Sequence, residues 1–233
     1  MKYNTIIIPF IVAVINWLVV SRYVKNKNGS IRYFEYLTKP AVILILIGWL
    51  WSVSNFSDRS LLFALGLACS LIGDLFLMFP KTRYTMAGAV FSFMLTHIFY
   101  IIGLTTAFPP PINPASIIVV ILVFVTSGCI YWRLIHSSLL RSSKGLSLAI
   151  TVYIFLLSLM LISCLYTYVQ GELWKDVEAL LVGCGGLLFF ISDTILAWNL
   201  YIKTIPNSKL INRIAYHIGQ IALIFGIALH FTR

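Results

Sequence analysis

Acidic side chains are scarce in this chain: seven Asp and Glu in 233 residues, against seventeen Lys and Arg, with 10% of all residues charged. Water-soluble domains carry about a quarter of their residues as charges, so a soluble globular domain is excluded. Paired cysteines are lacking as well. Cys69, Cys129, Cys164 and Cys184 each fall singly inside an apolar run, which excludes a disulfide framework or a zinc knuckle and leaves them as small packing residues. No long polar stretch remains for a second domain, and the Pro109-Pro-Pro-Ile-Asn-Pro114 segment reads as a stiff, uncharged turn.

What the chain has instead is hydrophobic length, 60% of its residues. Each crossing of a hydrocarbon core takes roughly 20 residues. The sequence therefore predicts an all-α integral membrane protein, one polytopic domain over residues 1–233, with eight spans near 5–20, 40–53, 60–79, 85–104, 115–134, 146–169, 178–201 and 209–231. The second run is short and its helix is open to starting before Lys39-Pro40. The first lacks a small-residue cleavage site and reads as a true span rather than a signal peptide.

The net charge of +10 invites a nucleic-acid partner until the charges are placed. Thirteen of the seventeen Lys and Arg, among them Arg22, Lys81, Arg83, Arg133, Lys203 and Arg213, flank the connections from odd to even spans; only Lys2, Arg59, Lys175 and Arg233 flank the others. That bias puts both termini on the non-cytoplasmic side and four basic loops in the cytoplasm. The positive charge reports topology and anionic lipid headgroups, and no nucleic-acid partner is expected.

Five of the seven acidic residues, Glu35, Asp58, Glu172, Asp176 and Glu178, fall at span ends or in connections. Asp74 and Asp193 lie deep inside spans, where each costs about 2.5–3.5 kcal/mol to insert and is expected to face a bundle interior or a wet cavity. Helical spacing puts Gly66, Ser70 and Asp74 on one face of the third span and Gly186, Phe189 and Asp193 on one face of the seventh. Glycine on those faces predicts close approach of neighbouring helices. Phe93, His97 and Tyr100 share a face of the fourth span, Tyr153 lies early in the sixth, and Tyr216, Gly219 and Gln220 line up on the eighth. At about 1.5 Å per residue, Asp74, Asp193, Tyr153 and Tyr216 come out roughly 8–12 Å from the cytoplasmic span ends, with His97 and Gln220 somewhat deeper. His217, adjacent to Tyr216, points away from it. Tyr23, Tyr33, Tyr84, Trp49, Trp51, Trp174 and Trp198 read as an interfacial belt. Asp74 to His97 and Asp193 to Tyr216 are both separations of twenty-three residues, the pattern that two four-helix pseudo-repeats would leave.

Lys39-Pro40, Ser70-Leu-Ile-Gly-Asp74, Phe93-Met-Leu-Thr-His97-Ile-Phe-Tyr100, Tyr153, Gly186-Leu-Leu-Phe-Phe-Ile-Ser-Asp193 and Tyr216-His-Ile-Gly-Gln220, taken in this order, resemble the lysoplasmalogenase-like membrane family, the bacterial YhhN group and its animal TMEM86 relatives. The resemblance covers residues from about 38 to 222. It implies an eight-span enzyme, in a bacterial inner membrane, that hydrolyses the vinyl ether bond of a lysophospholipid substrate, with Asp74 and Asp193 as the catalytic pair.

Such chemistry needs an acid to protonate the β-carbon of the enol ether and a base to activate water on the resulting oxocarbenium ion. Two carboxyls in one low-dielectric site can divide those tasks, as they do in glycosidases. Asp193 among phenylalanines suits the donor and Asp74 the base. Ser70, His97, Tyr100, Tyr153, Ser192, Tyr216 and Gln220 would position water and glycerol hydroxyls, with Lys39 at the cytoplasmic edge for the phosphate. No cofactor or metal is called for. Two other classes fit some of these residues: a proton- or cation-coupled transporter with Asp74 and Asp193 as relay or ion sites, and a zinc-dependent hydrolase using Asp74, His97 and His217, which lacks a His-x-x-x-His pair.

Overall fold

A computed structural model describes residues 2–26, 29–57, 59–105, 114–136, 144–170 and 173–232. Asp58, Glu172, Arg233 and the turn before Pro114 lie outside these residues. After a 3-10 turn at Lys2–Ile6 come eight helices: α1 (Ile7–Asn26), α2 (Gly29–Ser54), α3 (Ser60–Met78), α4 (Arg83–Leu104), α5 (Pro114–Ile135), α6 (Lys144–Val169), α7 (Asp176–Tyr201) and α8 (Ser208–Phe231). All eight are long and apolar enough to cross a membrane, and there is no strand among the described residues. In hydrocarbon every backbone N–H and C=O has to be bonded within its own segment, so a chain this apolar resolves into helices.

The helix ends are set locally. Thr82 caps α4, its hydroxyl accepting from Thr85 N at 3.2 Å while Thr82 N donates to the Thr85 hydroxyl at 2.9 Å. Asp176 and Glu178 occupy the first turn of α7, where the helix dipole favours negative charge. The second helix departs most from the apolar run at 40–53, because it begins at Gly29 and carries Pro40 in its interior. Its early turns hold Glu35 and Lys39, both buried and both ion-paired to other helices. Charges neutralised inside the bundle lower hydropathy without ending the helix.

Chain neighbours pack in the pairs α1–α2, α2–α3, α3–α4, α5–α6, α6–α7 and α7–α8, while α4 skips to α6. The last helix closes the bundle, touching α1, α2 and α3 as well as α7. It is the most buried helix, and α5 is the most peripheral. At the α7–α8 crossing the backbones meet. A Cβ on Gly185 would lie 2.5 Å from Leu223 N and 2.8 Å from Gly219 O, and one on Gly219 would lie 2.9 Å from Gly185 O. The glycines on the two carboxylate faces do something else: Gly66 makes room for the Tyr100 ring and Gly186 for the Cys164 side chain. Backbone cannot retreat as a side chain can, so Gly185→Val is expected to part α7 from α8. The cost is at or above the upper end of the roughly 1–3 kcal/mol typical of overpacking, read as a fall in melting temperature of the purified protein, while Gly48→Ala, with open space around its Cα, leaves the melt unchanged.

Two expected belt residues are core residues instead. Trp49 is buried, donating from Nε1 to the Thr5 hydroxyl at 3.1 Å, and Trp174 is buried against His230 with ring centroids 3.7 Å apart. Trp51 and Tyr84 are exposed. The side chain of Tyr33 lies outside the described residues. The four cysteines are free thiols.

Candidate active site

Six helices converge their polar side chains at one level, toward the end of the bundle where α3 turns into α4 and α7 into α8. All ten residues expected at a site, Lys39, Ser70, Asp74, His97, Tyr100, Tyr153, Ser192, Asp193, Tyr216 and Gln220, are at most 9% exposed. Asp74 and Asp193 line one small cavity of about 20 Å³, together with Lys39, Phe93, Arg213 and Tyr216. That space holds about one water molecule. Gly73 admits Phe93, whose ring would stand 2.8 Å from a Cβ at that position, and so lets an apolar ring line the cavity beside the two carboxyls.

The carboxyls have different partners. Asp74 Oδ1 is paired with Lys39 Nζ at 2.7 Å, while its Oδ2 has no hydrogen-bond partner. Asp193 Oδ2 accepts from the Tyr153 hydroxyl at 2.5 Å and lies 3.5 Å from His97 Nε2, within ion-pair range but too long for a good hydrogen bond. His97 is held edge-on between Tyr153 and Phe189, at centroid distances of 5.3 and 5.4 Å. Beside Asp74 runs a second chain of bonds. The Tyr100 hydroxyl donates to Gln220 Oε1 at 2.7 Å, Gln220 Nε2 donates to Ser70 Oγ at 3.1 Å, and Ser70 Oγ is bonded to the Tyr216 hydroxyl. The residue twenty-three positions after each Asp thus faces the other half: His97 meets Asp193, and Tyr216 meets Ser70 on the helix of Asp74.

Two residues take places other than those expected from the sequence. Lys39 is not free at the membrane edge for a phosphate, because its ammonium is turned inward onto Asp74 and is 6% exposed. A buried ammonium needs a counter-charge, and Asp74 is the one within reach. Ser192 lines the cavity but spends its polar groups on α8, its carbonyl and hydroxyl accepting from Asn212 Nδ2 at 2.6 and 3.0 Å. His217 faces the opposite way, its Nδ1 accepting from Trp17 Nε1 at 3.2 Å.

Sequence reading missed three residues. Glu35 sits 5% exposed between Lys209 at 2.6 Å and Arg213 at 3.1 Å, and Asn212 and Arg213 both line the cavity. Arg213 is buried with Nη1 unpartnered. A signal existed: Glu35 lies one turn before Lys39, and Asn212 and Arg213 one turn before Tyr216 on the same face. Among the described residues no three His, Cys, Asp or Glu side chains gather as a metal-ligand set.

Eight apolar helices enclosing two carboxyls, an imidazole, three phenols and two cations define a polytopic membrane protein with a buried polar, ionisable cluster. The chain belongs to the YhhN family, whose profile matches residues 34–227. It is similar to lysoplasmalogenase TMEM86B of Mus musculus, 28% identical over 193 residues that cover 82% of this chain and 74% of the relative. The same-named protein of Sus scrofa is 28% identical over 82% of this chain and 74% of its own length, and that of Homo sapiens 24% identical over 84% and 76%. No solved structure matches the chain.

Proposed function

We propose that this protein is a membrane-embedded hydrolase of the lysoplasmalogenase type, cleaving the vinyl ether bond of a lysophospholipid to a fatty aldehyde and a glycerophospho-ethanolamine or glycerophospho-choline. The basic ends of the helices face the cytoplasm, both termini lie outside, and the substrate comes from the inner leaflet. The observation that carries the reading is the shared cavity with its two unlike carboxyls: Asp74 against an ammonium, Asp193 against a phenol and an apolar wall. The relatives' printed name supports the reaction type.

In this mechanism Asp193 carries the proton and Asp74 is the carboxylate. Asp193 transfers its proton to the β-carbon of the vinyl ether, and the cation left on the α-carbon is stabilised by the Asp74 carboxylate. A water in the cavity adds to the α-carbon as Asp74 takes its proton, giving a hemiacetal. Collapse of the hemiacetal returns the hydroxyl proton to Asp193 and the Asp74 proton to the glycerol oxygen. Aldehyde and alcohol leave, and both carboxyls are reset. Tyr153 and His97 hold Asp193, Lys39 holds Asp74, and Tyr216 fills the space beside the water. General acid and base help each contribute about 10²–10⁴-fold, enough for a bond that is acid-labile at the outset.

The purified protein in neutral detergent is expected to release fatty aldehyde from a lysoplasmenyl-ethanolamine and none from the 1-acyl or 1-alkyl counterpart, which lack the protonatable double bond. Absence of aldehyde from a monodisperse, helical sample, or equal cleavage of the acyl lipid, overturns the reading.

A further inference from the structure

We propose that the groove between α4 and α6 seats one single-chain glycerophospholipid, its phosphate on Lys81 and Arg83 and its chain lying inward along the two helices. The groove has a volume of about 860 Å³, inside the roughly 300–1,000 Å³ of ligand sites. Its composition is graded along its length. Lys81, Thr82 and Arg83 form one end, and Val90, Phe91, Met94 and Val152 line the rest. Lys81 and Arg83 are exposed and take part in no ion pair among the described residues. A free cationic end above an apolar trough is the complement of an anionic headgroup on a hydrocarbon chain.

Position argues for the same occupant. A narrower apolar channel of about 40 Å³ adjoins the groove, sharing Met86, Val90, Leu200 and Tyr201 with it, and ends at Asp193 and Tyr153. The channel in turn shares Leu77, Phe93, Leu196 and Asp193 with the small polar cavity. Groove, channel and polar cavity therefore lie wall to wall in that order. From Arg83 to Val90 is seven residues of α4, roughly 10 Å along its axis at about 1.5 Å per residue. A phosphate at Arg83 sets the first chain atoms, a few bonds past the glycerol, near the mouth of that channel. The wall is two-sided, with Ala87 on α4 and Ala149 on α6.

Naming the occupant as the substrate rests on the hydrolase reading, so the test measures binding apart from turnover. The probe is the non-hydrolysable 1-O-hexadecyl glycerophosphoethanolamine, titrated calorimetrically into full-length protein in neutral detergent, beside the phosphate-free 1-O-hexadecylglycerol. Ala149→Trp and, independently, Ala87→Trp fill the groove from opposite walls and are expected to weaken both ligands at least tenfold. The Lys81→Gln/Arg83→Gln double variant is expected to weaken the phosphate-bearing ligand at least tenfold relative to the phosphate-free one, whereas Lys81→Arg alone is expected to cause no loss because it keeps the charge. Inorganic phosphate at millimolar concentration is expected not to compete, which separates a lipid seat from a free-anion site. Affinities within twofold of wild type in both Trp variants, or an equal loss of both ligands on removing the two charges, overturn the proposal. If binding behaves as expected and no aldehyde forms from the vinyl ether, the groove stands and the hydrolase reading falls.

Discussion

Asn in place of Asp193 is expected to lower the turnover of lysoplasmenyl-ethanolamine by about 10²–10⁴-fold, the loss of one general acid, with KM nearly unchanged. The substitution is structurally quiet: Asn is isosteric, and its amide oxygen can still accept the Tyr153 hydroxyl that now sits 2.5 Å from Asp193 Oδ2. What disappears is a transferable proton at the end of the channel. An interaction used only in the transition state lowers kcat and kcat/KM together. Asp74→Asn is expected to give a loss of the same order, and the double variant to be little slower than either single one, because Asp193 protonates the carbon next to the cation that Asp74 stabilises, and groups that serve one transition state fail as a unit. The check is aldehyde release in single-turnover mode, on protein whose helix content and elution match the parent. A rate within a few-fold of the parent for Asp193→Asn defeats the assignment of Asp193 as proton donor. Multiplicative losses in the double variant instead point to two separate functions.

The candidate site was legible because polarity is expensive in hydrocarbon. Asp74, Asp193, His97, Tyr153, Tyr216 and Gln220 stand out against apolar runs, and helical spacing faces them inward. All six are buried, in three separate sets: His97 and Tyr153 on Asp193, Tyr216 and Gln220 joined through Ser70, and Asp74 paired with Lys39. Glu35, Arg213 and Lys39 were obscured by the same logic, since a charge near the end of a span is assigned to the interface and counted toward topology. Nothing in a hydropathy window distinguishes an Arg that snorkels from one that turns inward to a carboxylate, as Arg213 does toward Glu35 at 3.1 Å. Trp49 and Trp174 were misplaced for a related reason, as both sit near span ends where a belt is the default, and only packing reveals that Trp49 lies on Phe225 and Trp174 on His230. The glycines read correctly as close-approach positions in kind but not in place, because sequence shows where a Cβ is missing and not what fills the gap.

Removing the Lys39 ammonium is expected to damage the fold and the activity together, and removing both members of its pair to separate the two. Lys39 and Asp74 are 2.7 Å apart with side chains 8% and 3% exposed. Taking one partner from a buried ion pair leaves an uncompensated charge and costs about 3–5 kcal/mol, whereas replacing both by apolar groups of similar size is often neutral or stabilising. By comparison, the Tyr100 to Gln220 hydrogen bond, also buried, is worth only about 0.6 kcal/mol on the average for membrane interiors, so the ion pair dominates this face of the bundle. Lys39→Met is therefore expected to lower the melting temperature markedly and to stop aldehyde release. Lys39→Met/Asp74→Leu is expected to recover most of the melt and none of the activity. Recovery of the melt fixes the pair as a retained cost, kept for the charge on Asp74 rather than for stability. A double variant as unstable as Lys39→Met alone means that other groups depend on that charge, with Arg213, lining the same cavity, the first to examine by Arg213→Met in the double-variant background.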